Sequence, residues 1–167
     1  MPLARRTIAV MVMCATSMVA LAACSTTVSL QPAPDANNPR CAEVTVRFPQ
    51  TLDGFERRWT DAQATGAWGE QGGGSNIIVA CGVDVPGPTT LPCSTLSGVD
   101  WIVDDTDAPY YRITSFGTDP AVQVYLDSDT VSSAEVLDTL GNIIVDTLPV
   151  NGLQCTDQAT GSSSAEG

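Results

Sequence analysis

The chain has 167 residues, enough for one ordinary domain and too few for two, with 7 basic against 19 acidic residues and a net charge of −12. All the basic residues are Arg, and the absence of His and Lys excludes imidazole triads, lysine Schiff bases, P-loops and His-built zinc sites. The acidity also argues against a nucleic-acid partner, because phosphate binding needs clustered Lys and Arg.

The N-terminus carries the most specific signal. Met1 to Arg6 holds two arginines and no acid, and Thr7 to Ala23 is an uncharged run of apolar and small residues. A positive segment followed by a short apolar one reads as an export signal. At 17 residues the run is at the lower limit for a permanent membrane span. It ends in Leu21-Ala22-Ala23-Cys24, a pattern similar to the lipobox of bacterial lipoproteins. In that class the signal is cut before the cysteine and the thiol is lipidated. The reading is therefore a signal peptide over 1–23, a lipidated Cys24, and a protein held on the extracytoplasmic face of the cell membrane. Two acyl chains hold a protein stably where one does not. Residues 24–38 read as the lipidated cysteine followed, from Ser25 to Asn38, by a flexible tether of 14 residues rich in Ser, Thr, Pro, Ala and Asn. Fully extended, such a stretch reaches about 45 Å. The mature chain would carry 5 Arg against 19 acids, so an anionic lipid surface should not attract it.

Residues 39–156 read as a single globular domain, and 157–167, rich in Ser, Gly and Ala, as a disordered tail. Asn38-Pro39 suggests an N-cap and first helical residue, opening a short helix from Arg40 to Arg47. Phe55 to Asp61 is a candidate first strand. Gln63 to Gly74, with three consecutive glycines, reads as loop. Asn76 to Cys81 is a short apolar run between turn signals, expected to be a buried strand, and Asp100 to Asp104 is another. Tyr110 to Phe116 and Ala121 to Leu126, joined by Gly117-Thr118-Asp119-Pro120, predict an antiparallel hairpin. Ser132 with Glu135 forms a capping box ahead of Val136, Leu137, Leu140, Ile143 and Ile144, an amphipathic helical stripe in which Gly141 is a weak point. The expected class is α+β: a small antiparallel or mixed sheet with a short N-terminal helix and an amphipathic C-terminal helix.

Four cysteines remain in the mature domain, Cys41, Cys81, Cys93 and Cys155. In an exported domain an even count reads as two disulfides. No C-x-x-C spacing supports a metal or redox site. On spacing alone, Cys81–Cys93 closes the loop from Gly82 to Pro92 and leaves Cys41–Cys155 to join the ends of the domain.

The order of Cys41, Thr51-Leu52-Asp53-Gly54 with Arg57-Arg58, Ala67-Trp68-Gly69, Ile77 to Val83, Gly98-Val99-Asp100-Trp101 and the hairpin from Ser115 to Val122 resembles an actinobacterial family. This is the family of exported proteins and lipoproteins that share the domain of unknown function 3515. The resemblance covers most of Cys41 to Asp146 and implies no activity. Cys41 and Cys81 match its pattern and Cys155 does not. The resemblance thus implies Cys41–Cys81 with Cys93–Cys155, and the two pairings stand side by side.

Few residues offer chemistry. Asp127-Ser128-Asp129-Thr130-Val131 is similar to the nucleophile motif of haloacid-dehalogenase phosphatases. That motif opens its domain, however, and needs a downstream cation; the plainer reading is a turn into the capped helix. Asp104-Asp105-Thr106-Asp107 could gather calcium, but no EF-hand spacing is present and a solvated hairpin loop accounts for it. Arg57 and Arg58 with Trp59 form a candidate anion or sugar site, and Trp68 and Trp101, with Tyr110 and Tyr111, could line a ligand cleft. Surface pairing and core packing are the plain alternatives. No catalytic set, metal or cofactor is expected. The functional expectation is a non-catalytic binding or structural module of the cell envelope, with the cytoplasmic membrane and an envelope protein as partners. The alternative is an envelope hydrolase working with carboxylates alone.

Overall fold

The structure is a computed structural model that describes residues 27–157. The signal segment 1–23, Cys24 and residues 158–167 lie outside the described residues. The described chain forms eight strands and two α-helices: α1 (Pro39–Thr45), β1 (Thr51–Leu52), β2 (Phe55–Arg58), β3 (Thr65–Gly69), β4 (Ser75–Val83), β5 (Cys93–Leu96), β6 (Val99–Asp107), β7 (Tyr110–Phe116), β8 (Ala121–Asp127) and α2 (Ser133–Thr147). A 3-10 turn, Cys155–Asp157, follows. The strands make one sheet in the order β1-β2-β3-β4-β8-β7-β6-β5. Every strand pairing is antiparallel. The sheet is therefore neither small nor mixed, and it dominates the fold.

Both helices pack on one face of the sheet. The pleat sends alternate side chains to that face. There Trp68, Ile77, Val79, Val122, Val124, Leu126, Ile113 and Trp101 meet Val44 of α1 and Val136, Leu140 and Ile144 of α2 in one buried cluster. Removing each such side chain from water contributes about 1.5–3 kcal/mol.

The helices differ in detail from expectation. Asn38 Oδ1 accepts from the Arg40 N–H at 3.0 Å, with Pro39 next, but α1 ends at Thr45. In α2 the Ser132 hydroxyl caps the Glu135 N–H at 3.4 Å. The Ser132 N–H donates instead to Asp53 Oδ2, at 2.7 Å, so the β1–β2 turn takes part in the cap. Gly141 does not end α2. It is buried where the Ser97 turn crosses, and a Cβ there would come within 2.9 Å of Ser97 Cβ.

Three strands were not expected. β1 and β5 belong to hairpins turning on Asp53-Gly54 and Ser97-Gly98. All four of those residues have positive φ, as a type I′ turn requires. β3 falls inside the stretch read as loop. Its sequence Thr-Gly-Ala-Trp-Gly is poor in β-branched residues, yet all five residues are buried between β2 and β4.

The disulfides are Cys41–Cys81 and Cys93–Cys155. This corrects the pairing favoured on spacing. Cys81 is on β4 and Cys93 on β5, with β8, β7 and β6 between them. Four strand spacings put them about 19 Å apart, far beyond the reach of one disulfide.

The expected tether is corrected over its described part. The Val28 N–H donates to the Trp59 carbonyl at 2.8 Å, and Val28 pairs in parallel with Thr60. The Leu30 N–H donates to Asp61 Oδ1 at 2.8 Å, and the Asp35 N–H to the Gly82 carbonyl at 2.9 Å. Ala36 is buried. These residues strap the margin of the sheet from β2 to β4 before α1 begins. A Ser/Pro/Asn-rich composition conceals this, because backbone groups rather than a side-chain pattern make the contacts.

Candidate functional site

The helices leave the second face of the sheet uncovered, and the β4–β5 connection crosses it. Because three strands separate β4 from β5, residues 84–92 have to travel over the sheet. They close a recess of about 450 Å³ in which Pro86 and Leu91 face Ile102, Arg112, Thr114 and Gln123. Alternation along β7 and β8 sends Ile113, Val124 and Leu126 into the core. It sends Arg112, Thr114, Gln123 and Tyr125 to this open face.

Cross-strand pairing assembles the rest. Arg112 stands opposite Tyr125 on β8 and opposite Asp104 on β6. Its guanidinium carbon lies 5.4 Å from the Tyr125 ring centre. The same guanidinium pairs with Asp107 at 3.3 Å and with Asp104 at 3.8 Å. Tyr110 stacks on Tyr125 with ring centres 5.5 Å apart and planes inclined by 6°. Tyr110 is 41% exposed, so the stack ends in solvent. Gln123 Nε2 donates to Thr114 Oγ1 at 3.1 Å.

One acid of this face, Asp104, is held ionised. Asp104 Oδ1 accepts from the Thr106 hydroxyl at 2.7 Å and from the Thr106 N–H at 3.1 Å. These bonds, with the Arg112 charge behind them, lower its carboxyl below the usual range. The Asp104–Asp107 segment, expected as a hairpin loop, is instead the charged end of β6, with a register shift between Asp104 and Asp107, and it is answered by Arg112. Among the described residues no group of three or more ligating side chains gathers to hold a metal. The Asp127–Val131 segment is a turn into α2, in which the Val131 N–H donates to the Asp127 carbonyl at 2.9 Å. An aromatic stack, a cation across its face and a recess beside it can hold a planar or peptide-like group.

The residues singled out in the sequence separate. Trp68 and Trp101 are buried to within 1%, so both are core and neither lines a cleft. Their indole N–H groups donate to the Pro49 and Leu96 carbonyls at 3.1 and 3.3 Å. Arg57 and Trp59 do come together. With Gln50, Arg58, Thr60 and Thr65 they bound a groove of about 310 Å³ at the outer margin of β2. Arg57 lies 5.5 Å over the Phe48 ring and donates to the Phe48 carbonyl at 3.2 Å; partial burial lowers its pKa from the ordinary value. Arg58 is buried and donates to the Gly73 carbonyl at 2.8 Å. Trp59 is 76% exposed. Arg112 and Tyr125 were missed. The signal available for them was the polar phase of the two alternating strands that form the hairpin.

The family model described as Protein of unknown function (DUF3515) matches residues 4–152. The chain belongs to this family. None of the curated proteins and none of the solved structures matches it. The span matched to the DUF3515 family takes in Cys24, the sheet and both helices, and it stops short of Cys155.

Proposed function

We propose that this DUF3515 protein is a membrane-anchored lipoprotein of the actinobacterial type, acylated at Cys24, that serves as a non-catalytic binding module of the cell envelope. The observation that carries the binding reading is the sheet face away from the helices, where the Tyr110–Tyr125 stack and Arg112 border the recess under residues 84–92. The anchoring reading rests on Leu21-Ala22-Ala23-Cys24 behind an uncharged apolar run. The ligand is an envelope protein or polymer segment presenting a flat or apolar group beside a negative one. The Tyr stack would receive the first and Arg112 the second.

The carboxylate hydrolase is the less favoured reading. A general acid requires a carboxyl whose pKa is raised. Asp104, one of the two acids that line the recess, is displaced the other way.

The test is cross-linked capture of the native full-length protein from membranes, run beside Cys24→Ala and Tyr125→Ser. The reading expects one discrete envelope component, lost in Tyr125→Ser although that variant remains folded and membrane-bound. An intact mass without a diacylglyceryl group would refute the anchoring. Capture unchanged by Tyr125→Ser would refute the assignment to the open face.

A further inference from the structure

We propose that the β2 margin of the domain, with Trp59 as its insertion point and Arg57 beside it, rests on the lipid surface to which the chain is anchored. The inference builds on acylation at Cys24 and assigns a second contact with the same membrane.

Covalent geometry supplies the first argument. Val28 is fixed to the strand end that carries Trp59, through its N–H to the Trp59 carbonyl at 2.8 Å and its pairing with Thr60. Cys24 precedes Val28 by four residues, which span at most about 14 Å. The acylated residue therefore stays close to Trp59 by whatever path the chain takes. A domain on a 14-residue tether could stand off in any orientation. Here the strap that runs from Val28 to Ala36 removes most of that freedom.

The side chains at this margin fit a lipid headgroup layer. Trp59 is 76% exposed, while Trp68 and Trp101 are buried to within 1%. An exposed indole is amphipathic and favours the membrane interface. Arg57 has no carboxylate within salt-bridge distance among the described residues, although the chain holds 19 acids. It borders the groove with Gln50, Arg58 and Thr60, where a lipid phosphate would find donors. Glu56 and Asp61 are exposed at the same margin, and the bond from the Leu30 N–H keeps Asp61 ionised. The four charges balance locally. Contact should thus depend on the indole and on the phosphate that every phospholipid carries, rather than on anionic lipid.

The experiment uses the full-length lipidated protein in vesicles of pure phosphatidylcholine with brominated acyl chains, after its intact mass has been measured. Brominated lipid should remove the component of tryptophan emission that Trp59→Phe lacks, and leave the emission of Trp68 and Trp101. The loss should be the same in 0.05 and 0.5 M salt, conditions that differ severalfold in screening length. If aqueous acrylamide quenches that component and brominated lipid does not, the lipid contact is refuted while the anchor stands. A mature chain that carries no diacylglyceryl group refutes both.

Discussion

The Asp35 N–H donates to the Gly82 carbonyl at 2.9 Å, and Gly82 leaves no room there for a side chain. A Cβ on Gly82 would overlap the Asp35 carbonyl group and come within 2.7 Å of the Ala36 nitrogen. Gly82 also has φ +91°, a conformation that costs any other residue strain. It sits at a register shift between β4 and β8, next to Cys81. One residue thus holds the N-terminal strap against the sheet beside a disulfide. Gly82→Ala should lower stability by about 1–3 kcal/mol, and the Asp35 amide should exchange with solvent much faster. Unchanged exchange at Asp35 would mean that the strap is held elsewhere.

The two disulfides should stabilise the domain comparably. Their sequence separations are 40 and 62 residues, which by loop entropy correspond to about 4 kcal/mol each. Cys41→Ala with Cys81→Ala frees α1 from β4, whereas Cys93→Ala with Cys155→Ala frees the C-terminal segment from the far edge of the sheet. Urea unfolding of the two double variants measures the losses. Non-reducing peptide mapping should recover Cys41 with Cys81, and recovery of Cys81 with Cys93 would contradict the strand order.

Gly66 on β3 lies beneath two rings. A Cβ there would come within 2.8 Å of both Phe48 Cδ2 and Trp68 Cη2, and those rings already meet edge to face at 5.5 Å. Overpacking of this kind costs about 1–3 kcal/mol. Gly66→Ala should therefore lower the melting temperature and alter the near-ultraviolet circular dichroism of Trp68. A variant as stable as the parent would show that the rings can move aside.

Asp61 couples the strap to acidity. Hydrogen bonds from the Leu30 N–H and the Ser29 side chain lower its pKa, so the folded value lies under the ordinary value of about 3.9. The stabilisation it lends is complete above that ordinary value and is lost as the pH falls through the folded one. NMR titration of the Asp61 carboxyl carbon should give a midpoint below 3.9, with the Leu30 amide shifting in step. A midpoint at or above the ordinary value would overturn the role given to this bond.

Arg112 should matter little to stability. Its ion pairs with Asp104 and Asp107 are partly exposed, the Arg112 side chain itself being 41% accessible, and such pairs contribute about 0–1 kcal/mol each. Arg112→Gln should melt within a few degrees of the parent protein while losing ligand capture at the open face. A large drop in melting temperature would make Arg112 a structural residue.

The sheet was legible where its strands alternate or run apolar. β4, β6, β7, β8 and the β7–β8 hairpin follow the expected segments within a few residues. β3 was hidden because Gly66, Ala67 and Gly69 are small. Gly66 is required by the closeness of Phe48 and Trp68, and Gly69 by the closeness of the Gly74 and Ser75 backbone, rather than by strand propensity. β1 and β5 were hidden by their brevity, although Asp53-Gly54 and Ser97-Gly98 are the turn pairs that announce hairpins. Of the candidate site, Tyr110 was in view, and Arg112 and Tyr125 were not. Their role depends on the register of the β7–β8 hairpin, which sets Arg112 opposite Tyr125, and on β6 lying beside β7, which brings Asp104 to Arg112.

The amino-acid sequence by itself determined the charge, the absence of imidazole and lysine chemistry, the family resemblance and the alternation of the hairpin strands. These are properties of single residues and of local order. The tertiary structure alone decided between the two disulfide pairings, because three strands separate Cys81 from Cys93. It also decided which tryptophans are core and which is exposed, and it attached residues 28–36 to the sheet. Each of those outcomes rests on contacts between residues distant in the chain, and their energies depend on strand order and on the face each side chain takes, which local sequence does not encode.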